Sequence, residues 1–527
     1  MVYAGVFLLV GGAVLVAGVA RRMGWPAPLV VVLVGLAVSA IPAVPAVELN
    51  PDLVLTVFLP PLLYSAAQES SYISIRANRR PIGLLSVGLV VFTTVLVGYF
   101  MHWLVPAIPL AAAFVLGAVV APPDAVAATA VGRTLGLPRR ILTILGGESL
   151  VNDATALTAY QVAVAAVVGG HVTFGGAVGI FLLAALGGVA VGLAVGRVLL
   201  ALLRRLTDGI LENTVSLLTP FVVYAIAEEL HASGVLAVVV AGLTIGHHAP
   251  STLSYVARLQ SAAIWRMIDF VLESVVFLVI GLELTSAVQN VSGGVSTGQL
   301  IGWSAALLAA VILIRLVWVY PATYLPRLIP AVGRADPPPA WTVPTVIGWA
   351  GMRGVVSIAA AVALPLTTDA GTPFPQRDLI IFLTFVVVVG TLVVQGFTLP
   401  WLIRRLGLVA APSSVDDLAE AEAQQTAARA AVDRLDQLLE LETSVPDDVV
   451  ERLRARTEGR ALVAWERLGG DQFGEPPSMV YRRLRREMLA AEREAFLALR
   501  NQGRLDDEVM RRVHRELDLE EAMLARE

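Results

Sequence analysis

The chain has 527 residues, of which 57% are hydrophobic and 15% are charged, and its formal net charge is −4. Soluble domains contain about 25% charged residues, so most of this chain is expected to lie within a lipid bilayer. The slightly negative charge gives no basis for nucleic-acid binding. The absence of cysteine excludes disulfides and thiolate metal sites.

Thirteen apolar runs are expected to cross the membrane as helices, because a span needs about 20 mainly apolar residues. Arginines cluster in the loops that follow the odd-numbered spans, whereas the opposite loops contain only Arg377. Basic residues favour the cytoplasmic side, so we expect a multi-pass protein of the cell membrane with its N-terminus outside and its C-terminal segment in the cytoplasm. The predicted spans are 3–20, 27–42, 53–70, 81–104, 109–131, 141–168, 174–196, 211–231, 234–248, 264–285, 299–322, 341–366 and 379–401.

An odd number of spans permits inverted repeats, in which spans 1–6 and spans 8–13 share a fold in opposite orientations. This pairing matches span 5 with span 12, and both are interrupted. Residues 121–125 of span 5 read Ala-Pro-Pro-Asp-Ala, and tandem prolines remove two backbone donors. Residues 348–354 of span 12 contain three glycines and an arginine. Broken helices at matching positions predict a binding site near the middle of the membrane.

Span 6 carries the strongest functional signal. Residues 146–153 read Gly-Gly-Glu-Ser-Leu-Val-Asn-Asp within an apolar helix. Each carboxylate at the membrane centre costs roughly 2.5 to 3.5 kcal/mol, so two of them indicate a site for a cation or a proton. Residues four apart share a helix face, which places Glu148 beside Asn152 and Ser149 beside Asp153. The alternative is that both acids are structural groups in salt bridges.

The charged residues of these segments suggest a division of roles. Arg353 needs a negative partner at this depth, and Glu148 is the expected one, which leaves Asp153 as the carboxylate that exchanges its ligand. A buried carboxylate of this kind holds either a proton or a cation, but not both. The neutral Asn152 leaves one carboxylate that changes occupancy, which favours exchange of one cation for one proton. The expected oxygen ligands of a transported cation such as Na⁺ are those of Asp153, Ser149 and Asp124 and the carbonyl of Pro123.

Span 10 contains two further acids, Glu273 and Glu283. For Glu273 we expect a salt bridge to Arg315 or Arg353 rather than direct ion binding, and we place Glu283 at the outer interface. Other acids and histidines near helix ends are expected to be solvated; they are Glu228, Glu229, His231, His247 and His248.

From residue 409 onward the chain is rich in arginine, glutamate and alanine. Helical periodicity predicts four helices, and the first has a possible capping box at Ser414 and Asp417. Nothing in this segment has the pattern of a catalytic site, so we expect a packing or regulatory cytoplasmic tail after a membrane domain of residues 1–408. The predicted tail helices lie near 414–442, 446–467, 477–500 and 506–526.

Four segments resemble motifs of the monovalent cation/proton antiporter family, in the bacterial form of its sodium/proton exchanger branch. Residues 58–64 resemble the family's FLPP segment, and residues 117–126 resemble its unwound ATDPV helix. Residues 147–153 are similar to its GESLFND motif, and residues 351–357 are similar to its GLRGAVS segment. The matches follow the family's order along the chain, and their combination is highly specific.

The resemblance implies an all-α homodimeric transporter without a cofactor. Spans 1–3 and 8–10 would form a dimerisation part, and spans 4–6 and 11–13 would form a core that moves like an elevator. It also implies that Asp153 and Ser149 bind the ion with Asp124 nearby. The same resemblance implies that Glu148 pairs with Arg353 and that the exchange is electroneutral.

Two positions depart from the family pattern. Many members have a glutamate where this chain has Ser65, and the family's threonine is replaced by Pro123, so that a hydroxyl is lost while the carbonyl stays. Ser65 is therefore a candidate for a supporting group around the ion, and so is Glu273, which matches a glutamate pattern seen in many exchangers. The departures leave the choice between Na⁺, Li⁺ and K⁺ open, and with it a K⁺/H⁺ exchanger of the same mechanism.

Two other classes of function fit parts of the pattern. An intramembrane aspartyl protease would use Asp124 and Asp153 as a dyad that shares one proton, but neither aspartate follows a Gly-x-Gly segment. An ion channel would need a repeated pore loop or an acidic ring, and the sequence has neither. We therefore expect a transporter of monovalent cations and protons, and not an enzyme.

Overall fold

The computed structural model contains two compact units, Met1–Val409 and Ala410–Glu527. The described residues are 2–23, 25, 27–39, 41, 54–169, 174–292, 296–408, 414–441, 445–466, 477–502, 504–505 and 507–526.

The first unit is built from helices, and each predicted span coincides with one helix or with two consecutive helices. The prediction of an all-α membrane fold is therefore confirmed. Within the described residues, seven helices are long and apolar enough to cross a membrane, and the total of thirteen crossings stays a prediction. The helices are α1 (Val2–Arg22), α2 (Ala27–Ser39), α3 (Leu59–Glu69), α4 (Tyr72–Ala77), α5 (Arg79–Leu104), α6 (Leu110–Val120), α7 (Ala125–Thr134), α8 (Arg139–Val168), α9 (Phe174–Leu203), α10 (Gly209–Glu229), α11 (Gly234–Thr252), α12 (Tyr255–Ser292), α13 (Thr297–Tyr324), α14 (Pro330–Ala335), α15 (Thr342–Trp349), α16 (Val355–Val362) and α17 (Arg377–Arg405).

Both predicted helix breaks are present. Residues 121–124 separate α6 from α7, because Pro122 and Pro123 lack the amide protons that would continue the helix. Residues 350–354 separate α15 from α16, and Gly351 and Gly354 fall in this interruption. Each predicted broken span is thus a pair of half-helices whose inner ends lie within the fold.

The half-helix α6 is buried on nearly all sides, which explains why its sequence is apolar without an amphipathic pattern. It packs against α5 and α8. At Gly117 an added Cβ would collide with the backbone oxygen of Thr94 in α5, so the two helices approach closely only because residue 117 has no side chain. This packing holds the first break against the acidic segment of α8.

Asp336, which follows α14, joins three arginines at the ends of other elements. It accepts hydrogen bonds from Arg140 Nη2 and Arg327 Nη2, each at 2.8 Å, and it pairs with Arg80. Arg80 and Arg140 lie in the first turns of α5 and α8, so one carboxylate links two helix ends to the segment before the second break. Burial alone would raise the pKa of Asp336, but the hydrogen bond from Arg140 and the charges of the three arginines hold it below its ordinary value of 3.8.

Asp336→Asn is expected to destabilise the protein by about 1–3 kcal/mol, because hydrogen bonds to charged groups contribute amounts of this order. Since the pKa is depressed in the folded state, the stabilisation is fully present above pH 3.8 and is lost as the pH falls through the folded-state value. Melting temperatures in detergent should therefore differ between wild type and variant at neutral pH and converge in acid. Asp378→Asn, at a more exposed aspartate, is the control, and equal effects of both substitutions would contradict the linking role.

The second unit contains the four predicted tail helices. The last two pack through Leu489, Leu517 and Leu524. Arg485 donates hydrogen bonds to both carboxylate oxygens of Glu520, and these lower the pKa of Glu520. The side chains of the proposed capping box lie outside the described residues. The helices are α18 (Ser414–Leu441), α19 (Asp447–Glu466), α20 (Pro477–Asn501) and α21 (Asp507–Arg526).

Candidate ion-binding site

The two helix breaks meet each other beside α8. The backbone N–H of Asp124 donates to the carbonyl of Met352 at 2.6 Å, which joins the first break to the second. The side chain of Asn152 in α8 donates through Nδ2 to the carbonyl of Pro123 at 2.7 Å. The predicted pairing of spans 5 and 12 around span 6 therefore corresponds to direct contacts.

The carboxylate of Asp124 lies at the start of two half-helices. It precedes the first residue of α7, and it touches Gly354 directly before α16, where an added Cβ would collide with the carboxylate. Helix N-termini carry partial positive charge, so this position stabilises an ionised aspartate.

Arg353 is fully buried, and its guanidinium donates to backbone carbonyls at the end of α6. Nε donates to the carbonyl of Val120 at 3.0 Å and Nη2 to that of Ala121 at 3.5 Å, and Nη1 contacts the carbonyl of Gly351. A helix end that stops inside the fold leaves carbonyls without partners and a partial negative charge. Arg353 satisfies both needs for α6.

Glu148 forms its ion pair with Arg315 of α13, and the predicted pairing with Arg353 is wrong. Arg315 Nη2 lies 2.9 Å from Glu148 Oε2, Nη1 contacts Oε1, and both side chains are at most 1% exposed. The same guanidinium donates to the carbonyl of Ile347 at 3.0 Å and so caps the end of α15. Each buried arginine thus serves one broken helix. Among the described residues, only Arg315 is in direct contact with the carboxylate of Glu148, although the charge of Glu148 also attracts Arg353.

Asp153 is only 9% exposed, and among the described residues it accepts no hydrogen bond and forms no ion pair. It lines a cavity of about 570 Å³ together with Ser149 and Asp124. Asn152 is fully buried and lies next to Asp153, and its Oδ1 has no hydrogen-bond partner in the described part of the chain. The structure thus brings Asp153, Asp124 and Ser149 to one cavity, whereas Asn152 and Pro123 lie outside its lining and are linked to each other by their hydrogen bond.

The sequence did not single out Asp269, which lines the same cavity. Ser65 Oγ lies 2.8 Å from both carboxylate oxygens of Asp269, so α12 brings a carboxylate to the position where Ser65 departs from the family pattern. Asp269 and Glu273 are four residues apart on an apolar helix, and this spacing was the available signal.

Glu273 also lines the cavity, and the predicted salt bridge to Arg315 or Arg353 is wrong, because both arginines have the other partners described above.

The side chain of Glu283 lies outside the described residues. Of the groups predicted to be solvated, Glu229, His231 and His247 are exposed, whereas Glu228 and His248 are half-buried.

A helical membrane fold in which two broken helices cross beside a buried carboxylate defines a secondary transporter. The family model for the transmembrane part of sodium/hydrogen exchangers matches residues 7–405. The chain belongs to this sodium/hydrogen exchanger family, which is a family of transporters.

Three relatives named as exchangers or antiporters support the same family. An uncharacterized Na⁺/H⁺ exchanger of Mycobacterium bovis is 36% identical over 510 residues, which cover 94% of this chain and 91% of the relative. A sodium, potassium, lithium and rubidium/H⁺ antiporter of Bacillus subtilis is 34% identical over 384 residues, which cover 71% and 57% of the two chains. The Na⁺/H⁺ antiporter ApNhaP of Aphanothece halophytica is 32% identical over 387 residues, which cover 73% and 70%.

The fold is similar to that of the sodium proton antiporter MjNhaP1 from Methanocaldococcus jannaschii. The TM-score is 0.60 with 16% sequence identity, and the match covers 77% of this chain and 98% of that structure. At this identity the likeness concerns the fold alone. It agrees with the helical membrane architecture described above.

Proposed function

We propose that this protein exchanges one Na⁺, or another small monovalent cation such as Li⁺ or K⁺, for one H⁺ across the cell membrane. The observation that carries the proposal is the state of Asp153, which is buried, lines a cavity and has no partner among the described residues. Burial disfavours an ionised carboxylate without a counter-ion, so the group is stable when it binds either a proton or a cation. Each ligand must leave before the other binds, and this competition couples the two fluxes.

The surrounding groups support a single exchanging carboxylate. Glu148 is neutralised by Arg315 at 2.9 Å, so it holds a permanent counter-ion. Asn152 is neutral and holds the carbonyl of Pro123, which retains a second lone pair for a ligand. Ser149 and Asp124 line the cavity beside Asp153 and are the proposed further oxygen ligands. One carboxylate that alternates between a proton and a monovalent cation gives one-for-one exchange without net charge movement.

We infer that the cavity leads to the cytoplasmic side. Its lining includes Ser71, Arg133 and Arg139, which lie between the predicted spans, in segments that the arginine distribution assigns to the cytoplasm. The cavity also lies between the proposed dimerisation part (spans 1–3 and 8–10) and the proposed core (spans 4–6 and 11–13). This location supports alternating access by movement of the core in a homodimer, with the helical tail as a cytoplasmic regulatory segment.

The choice of cation is the finer part of the proposal. The relative from Bacillus subtilis is named for four alkali cations, and Ser65 lacks the charge that many family members have at this position. A K⁺/H⁺ exchanger of the same mechanism is therefore the second candidate. The proposed substrates are the transported ions, and the proposal includes no resident cofactor.

A pH-gradient assay in everted membrane vesicles tests the function. Addition of Na⁺, Li⁺ or K⁺ in turn should dissipate an imposed proton gradient, and the response should identify the preferred ion. For Na⁺ and Li⁺, dissipation that is unchanged when K⁺ and valinomycin clamp the membrane potential supports electroneutral exchange. Vesicles in which no alkali cation moves protons would contradict the proposal.

Gly354→Ala is expected to slow exchange roughly tenfold, because misplacement of a functional group by about 1 Å carries a large penalty. The new methyl group would collide with the carboxylate of Asp124 and displace either this carboxylate or the start of α16. Gly146→Ala is the matched control, since Gly146 lines the same cavity and an added Cβ there meets nothing within 4 Å. Exchange rates at saturating cation should separate the two variants, and equal rates would refute the proposed role of the contact.

A further inference from the structure

Asp269 is an acid in the cavity wall that the exchange mechanism does not use. It is half-buried on α12, and its described partner is Ser65 of α3, whose Oγ lies 2.8 Å from each carboxylate oxygen. A hydroxyl has only one proton to donate, so most lone pairs of this carboxylate stay available. Glu273 lies one helical turn away, lines the same cavity and has no hydrogen bond or ion pair within the described residues.

A separate observation points to a ligand in this cavity. Ser357, in the first turn of α16, also lines it and is 1% exposed. Its hydroxyl has no hydrogen-bond partner in the described part of the chain. A buried hydroxyl without a partner is unfavourable, and a bound ion or its hydration water would satisfy it.

We propose that Asp269, positioned by Ser65, forms with Glu273 and the Ser357 hydroxyl a second binding site for a monovalent alkali cation, which the ion occupies before it reaches Asp153. This inference rests on the proposed exchange function. Carboxylate and hydroxyl oxygens are the ligands that hard cations prefer. The cavity lining contains five carboxylates and two arginines, Arg133 and Arg139, and an excess of negative charge in a cleft raises the local concentration of cations and speeds their capture.

The two sites have different consequences for transport. Asp153 must exchange its ligand in each cycle, so its loss stops exchange. Asp269 raises the occupancy of the cavity by the cation, so its loss weakens apparent affinity at the face where the cavity opens. Asp269→Asn is therefore expected to raise the apparent KM for Na⁺ roughly tenfold in everted vesicles, with the maximal rate retained.

Two comparisons sharpen the kinetic test. Asp378→Asn removes a more exposed charge outside the cavity lining and should leave KM within about twofold of wild type. The double variant Ser65→Asp/Asp269→Ser exchanges the two groups of the 2.8 Å contact and should restore much of the affinity. An unchanged KM in Asp269→Asn overturns the site, and so does a lower maximal rate with unchanged KM, because that is the signature of a structural role.

Direct binding of radioactive Na⁺ to the purified full-length protein separates this inference from the exchange function. Asp153→Asn should abolish exchange but retain saturable Na⁺ binding, and addition of Asp269→Asn should remove that binding. Loss of all saturable binding in Asp153→Asn alone would overturn the second site while the exchange function stands. Wild-type vesicles without cation-dependent proton movement would instead refute the exchange function.

Discussion

Asp153→Asn is expected to abolish cation-dependent proton movement, with a loss on the order of 10²-fold or more in exchange rate. Asparagine has nearly the same shape as aspartate, but it neither takes up a proton nor balances the charge of a cation. Asp153 was predicted to exchange its ligand, and its carboxylate lines the cavity. It is buried and has no partner among the described residues. The measurement is the recovery of the fluorescence of a pH-sensitive dye in everted vesicles after addition of each cation.

The neutral variant should fold at least as well as the wild type, because removal of a buried charge removes its desolvation cost. Loss of exchange together with an unchanged melting temperature in detergent would therefore assign a transport role to Asp153. Asp378→Asn, which changes a more exposed aspartate outside the cavity lining, is the matched control. A residual rate in Asp153→Asn of more than about a tenth of the wild-type rate would contradict the mechanism.

The helix breaks and the principal acids could be predicted from the sequence because their causes are local. Pro122 and Pro123 lack amide protons wherever the chain places them, and the segment that ends at Asp153 is polar within an apolar helix. Hydrophobic length likewise predicted the membrane helices, since it responds to the thickness of the bilayer as a whole.

The partners of the buried charges could not be predicted in the same way. Arg315 and Glu148 are 167 residues apart, and Ser65 and Asp269 are 204 residues apart. Periodicity shows which residues share a helix face, but it does not show which faces of distant helices meet. Arg353 was predicted to pair with Glu148 on the basis of charge alone. The carbonyls at the end of α6 also need hydrogen-bond donors, and Arg353 supplies them.

Arg315 and Arg353 both donate hydrogen bonds to the ends of broken helices, and this shared role explains why the two arginines are buried. A broken helix inside a membrane leaves carbonyls that water does not reach, and each must find a donor. Arg353 supplies donors to α6, and Arg315 supplies them to α15. One negative charge from Glu148 then offsets the positive charge of Arg315. This assignment leaves Asp153 without a permanent cation, which the exchange mechanism requires.

Arg315→Met is expected to destabilise the protein by about 3–5 kcal/mol, because loss of one partner from a buried ion pair leaves the other charge uncompensated. Glu148 is 1% exposed, and its direct ion pair in the described structure is with Arg315, whereas Arg353 attracts its carboxylate without an ion-pair contact. The carbonyl of Ile347 at the end of α15 would also lose its donors. We expect a large decrease in the amount of folded protein in the membrane and in its melting temperature in detergent.

The double variant Glu148→Leu/Arg315→Met separates the charge effect from the loss of the helix cap. Replacement of a whole buried ion pair by apolar side chains is often neutral, so the double variant should be more stable than Arg315→Met alone. It should remain below wild type, because methionine donates no hydrogen bond to the carbonyl of Ile347. If Arg315→Met alone melted like wild type, the pair would not be the compensating contact that leaves Asp153 free to exchange ions. If the double variant were no more stable than Arg315→Met, helix capping rather than charge compensation would be the main role of Arg315.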